Sequence, residues 1–334
     1  MGEIAVNIDP TLGFETSTQR LKTEWGKRKV IRDNTLKFGV TFLDRVLEAI
    51  LPTDIILLGA VTGAGKTEVA TQIAFENAMK GKRIHFFALE AEDTEIERRL
   101  LFKAMSSKYY LDPEKPRIIS PNYLNWYLGK DGDVWKKYSD VLNQADWLGN
   151  LHTFYRTNKR FGIEDFKKKV LALNGKTDLI ICDHIHYFDL DHDNENKAVG
   201  SIIKGMRDLA LVNKVPIIVI AHLRKTDGKN KKLIPTMDDF HGTSDLGKIC
   251  TKSVILAPGG PVPNTKGVYY TYCRFGKCRV DGARTRFQVR AQFDATINMY
   301  RPDYELGTLN SDQTEFKAVR SADSLPTWLS SGAK

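Results

Sequence analysis

Ile55-Ile56-Leu57-Leu58-Gly59-Ala60-Val61-Thr62-Gly63-Ala64-Gly65-Lys66-Thr67 is the stretch that decides the fold. Four consecutive apolar residues read as a buried strand, the glycine-rich run as a tight loop, and Thr67 to Met79 as a helix. Strand, glycine loop and helix in that order are the context of a P-loop. Gly63 and Gly65 let the backbone curl so that its N–H groups face a phosphate, and the dipole of the helix starting at Lys66 adds attraction. The candidate nucleotide-binding residues are therefore Ala60, Val61, Thr62, Gly63, Ala64, Gly65, Lys66, Thr67 and Glu68, with Lys66 reaching the β- and γ-phosphates of ATP and Thr67 ligating Mg2+. Ala60 stands where the strict pattern has glycine.

Outward from this loop the pattern alternates. Strand signals at Ile84–Leu89, Leu151–Tyr155, Leu179–Asp183 and Ile217–Ala221 are separated by helical stretches at Thr94–Met105, Ile163–Leu173 and Ile202–Val212. Repeated βα units predict an α/β fold with a doubly wound, mainly parallel sheet and helices on both faces. Shorter, more polar strand signals at Ser253–Leu256, Gly267–Phe275 and Phe287–Phe293 predict antiparallel strands at the C-terminal edge. The organisation expected is a basic arm over residues 1–35, a catalytic domain over 36–300 with an irregular insertion at about 106–149, and a flexible polar tail over 301–334.

Two carboxylates complete the expected phosphate site. Asp183 ends the apolar strand Leu179–Asp183, the position from which a carboxylate holds magnesium through water. Glu90 follows the strand Ile84–Leu89 beside the P-loop helix, so it is the candidate base that orients the attacking water.

The chain has 334 residues, 42% of them hydrophobic and 27% charged, the profile of an ordinary globular protein. No apolar run is long enough to span a membrane, and Met1–Pro10 has no basic segment leading into an apolar one, so an intracellular protein is expected. Cys182, Cys250, Cys273 and Cys278 form no C-x-x-C pair and are expected to be free thiols. A net charge of +9 suits a polyanionic partner.

These motifs, in this order, resemble the RecA-fold motor domain of DnaB-type hexameric helicases over roughly residues 36–295. Ala60 is itself part of the resemblance, as is Phe38-Gly39-Val40-Thr41-Phe42-Leu43-Asp44 before the P-loop strand. Phe87-Ala88-Leu89-Glu90 is similar to the family's F-S-L-E, whose Glu is the catalytic base, and Arg98 or Arg99 falls where the family has a nearby Arg. Val215 to Arg224 is similar to V-P-V-I-A-L-S-Q-L-N-R, with His222 in place of the γ-phosphate sensor. Lys277-Cys278-Arg279-Val280-Asp281-Gly282 is similar to K-x-R-x-x-G, which implies that Lys277 and Arg279 enter a neighbouring subunit's ATP site. Phe240 to Leu246 matches the family's G-S motif only loosely and is closer to the small plasmid RepA-type helicases.

The resemblance implies a hexameric ring, with loops at about Tyr187–Lys197 and Arg224–Asp238 facing single-stranded DNA in its channel, and replication or recombination proteins as further partners. Arg224, Lys225, Lys229, Lys231 and Lys232 make the second loop basic, whereas Asp189, Asp191, Asp193 and Glu195 make the first acidic, which is odd for a DNA-facing loop. Only about 35 residues precede the motor, so the helical collar of bacterial replicative helicases is not expected; the size is that of a phage or other mobile-element protein. Two rival readings share the P-loop: a RecA-type ATPase of recombination, helicase loading or defence that does not unwind, and a signalling ATPase that binds no DNA.

Overall fold

A computed structural model describes residues 17–33, 35–61, 63–115, 122–143, 146–157, 159–190, 194–224, 232–241 and 244–319. The chain divides into two units, residues 1–36 and 37–334. In the first, α1 (Ser17–Asp33) is a basic helix with Leu21 and Trp25 exposed and the Arg28 guanidinium stacked 4.6 Å over the Trp25 ring.

The second unit is built on one ten-stranded sheet. In chain order its elements are α2 (Thr41–Leu47), β1 (Ile55–Ala60), α3 (Lys66–Met79), β2 (Ile84–Ala88), α4 (Glu95–Leu111), α5 (Tyr123–Tyr127), β3 (Leu151–Tyr155), α6 (Ile163–Ala172), β4 (Leu179–Asp183), α7 (Glu195–Asn213), β5 (Ile217–His222), α8 (Asp245–Ile249), β6 (Lys252–Pro261), β7 (Val268–Cys278), β8 (Gln288–Asp294), β9 (Met299–Leu309) and β10 (Phe316–Ala318). The spatial order is β10-β9-β8-β7-β6-β1-β5-β4-β2-β3. Strands β6 to β3 in that order are parallel and β7 to β10 antiparallel.

Central strands are apolar on both faces because both faces are covered. Ile55 and Leu57 of β1 join the core beneath α6, α7 and α8, together with Met206, Val219 and Phe166. Side chains alternate along a strand, so Ile56 and Leu58 turn to the opposite face, where α3 lies. The parallel register sets Ala60 beside His222 and Ala88 beside Asp183, which gathers the strands' C-terminal ends into one edge.

Three boundaries differ from the sequence reading. Helix α4 runs on to Leu111, because Ser106 to Tyr110 contains no breaker before Pro113; among the described residues of the expected insertion, short helical turns follow, whose Trp135 and Tyr138 pack on Phe102 and Tyr109 of α4. Helix α7 starts at Glu195 rather than Ile202, with the Asn194 side chain accepting the Lys197 amide at 3.2 Å as its N-cap. The flexible tail expected from residue 301 is corrected for residues 301–318: these form β9 and β10, an antiparallel pair that closes the sheet's edge.

All four cysteines are free and buried. Among the described residues no helix is long and apolar enough to cross a membrane.

Candidate nucleotide site

Gly63 and Gly65 adopt φ of 79° and 81°, a left-handed backbone that a side chain would strain. Gly65 is the residue from which α3 departs, so its conformation sets the direction of the helix N-terminus. The cleft above is about 570 Å³ and is lined by Gly63, Gly65, Lys66, Thr67, Glu68, Glu90, Ala91, Glu92, Glu95, Arg99, Asp183 and His222. Thr62 lies outside the described residues.

Lys66 is 7% exposed and donates to the Ala60 carbonyl at 3.3 Å, with His222 Nδ1 3.2 Å away. Among the described residues it forms no ion pair; burial lowers its pKa, and the charges of Asp183 and Glu90 raise it in part. Burial and Lys66 hold the His222 pKa down at about 4, so the ring is neutral and accepts from the ammonium. The Thr67 hydroxyl donates to Asp183 Oδ2 at 2.7 Å. Asp183 is 3% exposed, and burial lifts its pKa to about 6 against the Thr67 hydrogen bond.

Asp183 Oδ1 is buried and has no hydrogen-bond partner among the described residues. An orphaned carboxylate oxygen beside a hydroxyl is a set of hard oxygen donors, and it fits Mg2+ with its water shell.

The Glu90 side chain is 44% exposed, and its Oε2 lies 3.1 Å from Nε2 of the buried His184. His184 accepts the His186 amide at Nδ1 (3.3 Å), which assigns its ring proton to Nε2, an atom that is buried and has no hydrogen-bond partner among the described residues. Burial and the neighbouring histidines hold its pKa down to about 2. His184 was not among the sequence candidates; its spacing of two from His186 just after the Asp183 strand was the available signal.

Of the two arginines the sequence offers, Arg98 and Arg99, it is Arg99 that lines the cleft. The Arg98 guanidinium lies 4.9 Å over the Tyr127 ring and 3.4 Å from Glu92. Arg99 pairs with Glu95 at 2.7 Å and with Glu68. Glu68 lines the cleft too, yet its carboxylate is taken up by Arg99 and the fully buried Lys103.

Lys277 and Arg279 do not converge on this cleft. Lys277 donates to the carbonyls of Gly247 and Lys248 in α8, both at 2.8 Å. The Arg279 amide donates to Thr251 O, and the Thr251 amide to Ile55 O, so Arg279 sits at the start of β1 while the P-loop follows its end. The five residue steps from Ile55 to Ala60 separate those ends by roughly 16 Å. Arg279 is exposed and, among the described residues, its guanidinium has no carboxylate partner; the charge of Arg279 is one cause of the lowered pKa of Arg207, after burial.

Of the basic loop, Arg224 lines a separate cleft of about 470 Å³ with Lys248 and Lys277. Lys232 is exposed. Lys225, Lys229 and Lys231 lie outside the described residues, as do Asp191 and Asp193. Asp189 of the acidic loop is committed to structure, accepting from the Arg156 guanidinium at 2.8 and 2.9 Å and from the Phe161 amide.

Ala60, Lys66, Thr67, Asp183 and Glu90 at one edge of a parallel sheet define a RecA-like P-loop domain. Residues 35–316 match the DnaB-like helicase C terminal domain family, and the chain belongs to it. Among curated relatives, "Replicative DNA helicase DnaB" of Haemophilus influenzae is 22% identical over 214 residues, covering 62% of this chain and 43% of that protein. The protein of the same name from Geobacillus stearothermophilus is 22% identical over 215 residues, 62% of this chain and 44% of the relative. The chain thus spans less than half the length of these relatives. Among solved structures, one described as an ATPase domain superposes with a TM-score of 0.67 at 16% identity, covering 86% of this chain and 98% of that one. Another, of a DnaB-like replicative helicase and its interactions with primase, gives 0.62 at 15% identity, covering 92% and 68%.

Proposed function

We propose that this protein hydrolyses ATP to move single-stranded DNA through a ring of its own copies, as a replicative-type DNA helicase. The observation that carries the proposal is the cleft in which Lys66, Thr67, Asp183 and Glu90 converge, in a chain of the helicase family.

Each residue has a task there. The amides of the Gly63–Lys66 turn and the Lys66 ammonium bind the β- and γ-phosphates. Thr67 and Asp183 are the residues that would hold Mg2+, whose charge offsets that of the phosphates. Glu90 orients a water for in-line attack, with Nε2 of the buried His184 3.1 Å from its carboxylate. His222, 3.2 Å from Lys66, is placed to register whether the ammonium is bound to a γ-phosphate. A second cavity of about 240 Å³ shares Gly63 and Gly65 with the cleft and is lined by Tyr269, Tyr270, Phe293 and Tyr300, a surface suited to the nucleoside.

Arg279 is exposed at the far end of β1, where a finger for a neighbouring copy's phosphate would stand. The basic segment with Arg224, Lys225, Lys229, Lys231 and Lys232 tracks the DNA backbone.

The test is ATP turnover with and without single-stranded DNA, followed by strand displacement on a forked duplex, in rings verified by native mass. DNA-stimulated turnover with displacement is expected; stimulation without displacement leaves the non-unwinding RecA-type reading, and unstimulated turnover the signalling one. Mixing Lys66→Ala with Arg279→Ala subunits should restore part of the activity that each lacks alone. Demonstrated mixed rings with no recovery would remove Arg279 from the neighbour's site.

A further inference from the structure

We propose that His186, Glu195 and His241 form a binding site for a borderline divalent cation of the Zn2+ class, separate from the nucleotide cleft. Each of the three offers a ligand atom within 4.8 Å of the others. They come from three segments: the turn after β4, the first residue of α7 and the chain after β5.

The His186 ring is fixed from behind, and the other two ligands are anchored through their backbone. His186 Nε2 is 3.2 Å from the His241 carbonyl, which can only accept, so the ring proton lies on Nε2. Nδ1 is then a bare lone pair, buried and without a hydrogen-bond partner among the described residues. A ring whose N–H is held by a backbone carbonyl while the other nitrogen is free is the arrangement of metal-binding histidines. His241 is anchored by its amide, which donates to His222 O at 3.0 Å, and its Nδ1 lies 3.3 Å from Glu195 Oε1. The Asn194 cap sets Glu195 at the head of α7.

The donor set selects the ion. Two imidazoles and one carboxylate suit Zn2+, Co2+ or Ni2+, whereas Mg2+ takes oxygen ligands. Bonds of about 2.0–2.2 Å to zinc put ligand atoms roughly 3.3–3.5 Å apart, which the His241–Glu195 pair already meets at 3.3 Å, and the separations to His186 would have to close by at most roughly 1.5 Å. His241 and Glu195 have that freedom, with side chains 45% and 49% exposed. Three protein ligands leave the fourth position to water.

A second trio, Glu90, His184 and His222, lies equally close together. There the Lys66 ammonium sits 3.2 Å from His222 Nδ1, so a cation already holds that corner and repels another. The Nδ1 of His186 has no hydrogen-bond partner among the described residues. The proposal also accounts for Glu195, a carboxylate at odds with a loop that tracks phosphates but required in a cation site. The bound ion would tie the turn after β4 to the chain after β5, at the roots of the two loops expected to face DNA.

The test uses the full chain without a histidine tag, stripped with a chelator and titrated with Zn2+ by calorimetry and with Co2+ by visible absorption. One ion per subunit is expected. His241→Ala and Glu195→Gln alter exposed side chains, and each should weaken binding by more than the roughly 10–100-fold that loss of an outer partner costs. His222→Ala should leave it unchanged. Absence of stoichiometric binding, wild-type affinity in both His241→Ala and Glu195→Gln, or loss in His222→Ala with retention in His241→Ala would each overturn the proposal.

Discussion

The two ends of the central strands treat buried charge in opposite ways. Where β1 begins, Asp54 accepts from Lys252, from the Thr251 hydroxyl and from the Leu51 amide, and Lys252 is 1% exposed. Both charges are closed off by each other. Where β1 ends, Lys66 has only a carbonyl and a neutral imidazole, and Asp183 keeps one oxygen unpartnered among the described residues. Burying a charge without a partner costs stability, so the second arrangement persists only where a ligand completes it. The contrast marks the β1 start as scaffold and the β1 end as site.

Four substitutions test that contrast. The largest effect is expected for Lys66→Ala, which should reduce ATP turnover below detection and abolish most nucleotide binding while melting temperature stays near wild type. Turnover at the wild-type rate would end the assignment of the cleft. Lys252→Met should do the converse. It strands Asp54 in the interior and should cost about 3–5 kcal/mol in urea unfolding, with ATP affinity of the folded fraction unchanged.

Glu90→Gln should bind ATP normally and lose roughly 100-fold in turnover, about 2.7 kcal/mol of barrier. Normal hydrolysis by this variant would shift the base to another carboxylate of the cleft, first Glu92.

The smallest effect concerns Asp183. Its folded pKa of about 6 lies above the ordinary 3.8, so the native state disfavours its ionisation. The resulting penalty is absent below about pH 4, grows as pH rises through 6 and is constant above. Asp183→Asn removes it, so the metal-free variant should be roughly 2 kcal/mol more stable than wild type at pH 7.5, from a shift of about two units at 1.36 kcal/mol each discounted for rearrangement. Denaturant melts in chelator across pH 4–8 measure the gain. A gain that persists at pH 4, or a loss at pH 7.5, would show that Asp183 is paired as Asp54 is.

The parallel half of the sheet was readable because its signals are local. A doubly covered strand must be apolar throughout, a P-loop needs its glycines and Lys66 in sequence, and a strand-terminal carboxylate such as Asp183 or Glu90 sits at a position that the alternation of elements defines. The outermost two antiparallel strands, β9 and β10, were not. Strand β9 buries only Tyr300 and Gly307 among partly or fully exposed positions, so the segment is polar enough to pass for a tail.

The sequence alone determined the P-loop, its partner carboxylates and the family, since each rests on neighbouring residues or on the order of motifs along the chain. Tertiary structure decided which of two adjacent arginines meets the cleft, because one residue on a helix is a turn of about 100° and only packing says which side faces in. It also decided that Arg279 stands a strand's length from Lys66, that His184 backs Glu90, and that His186, Glu195 and His241 meet. Those are contacts between segments far apart in sequence, set by the register of β1, β4 and β5, and no local pattern carries them.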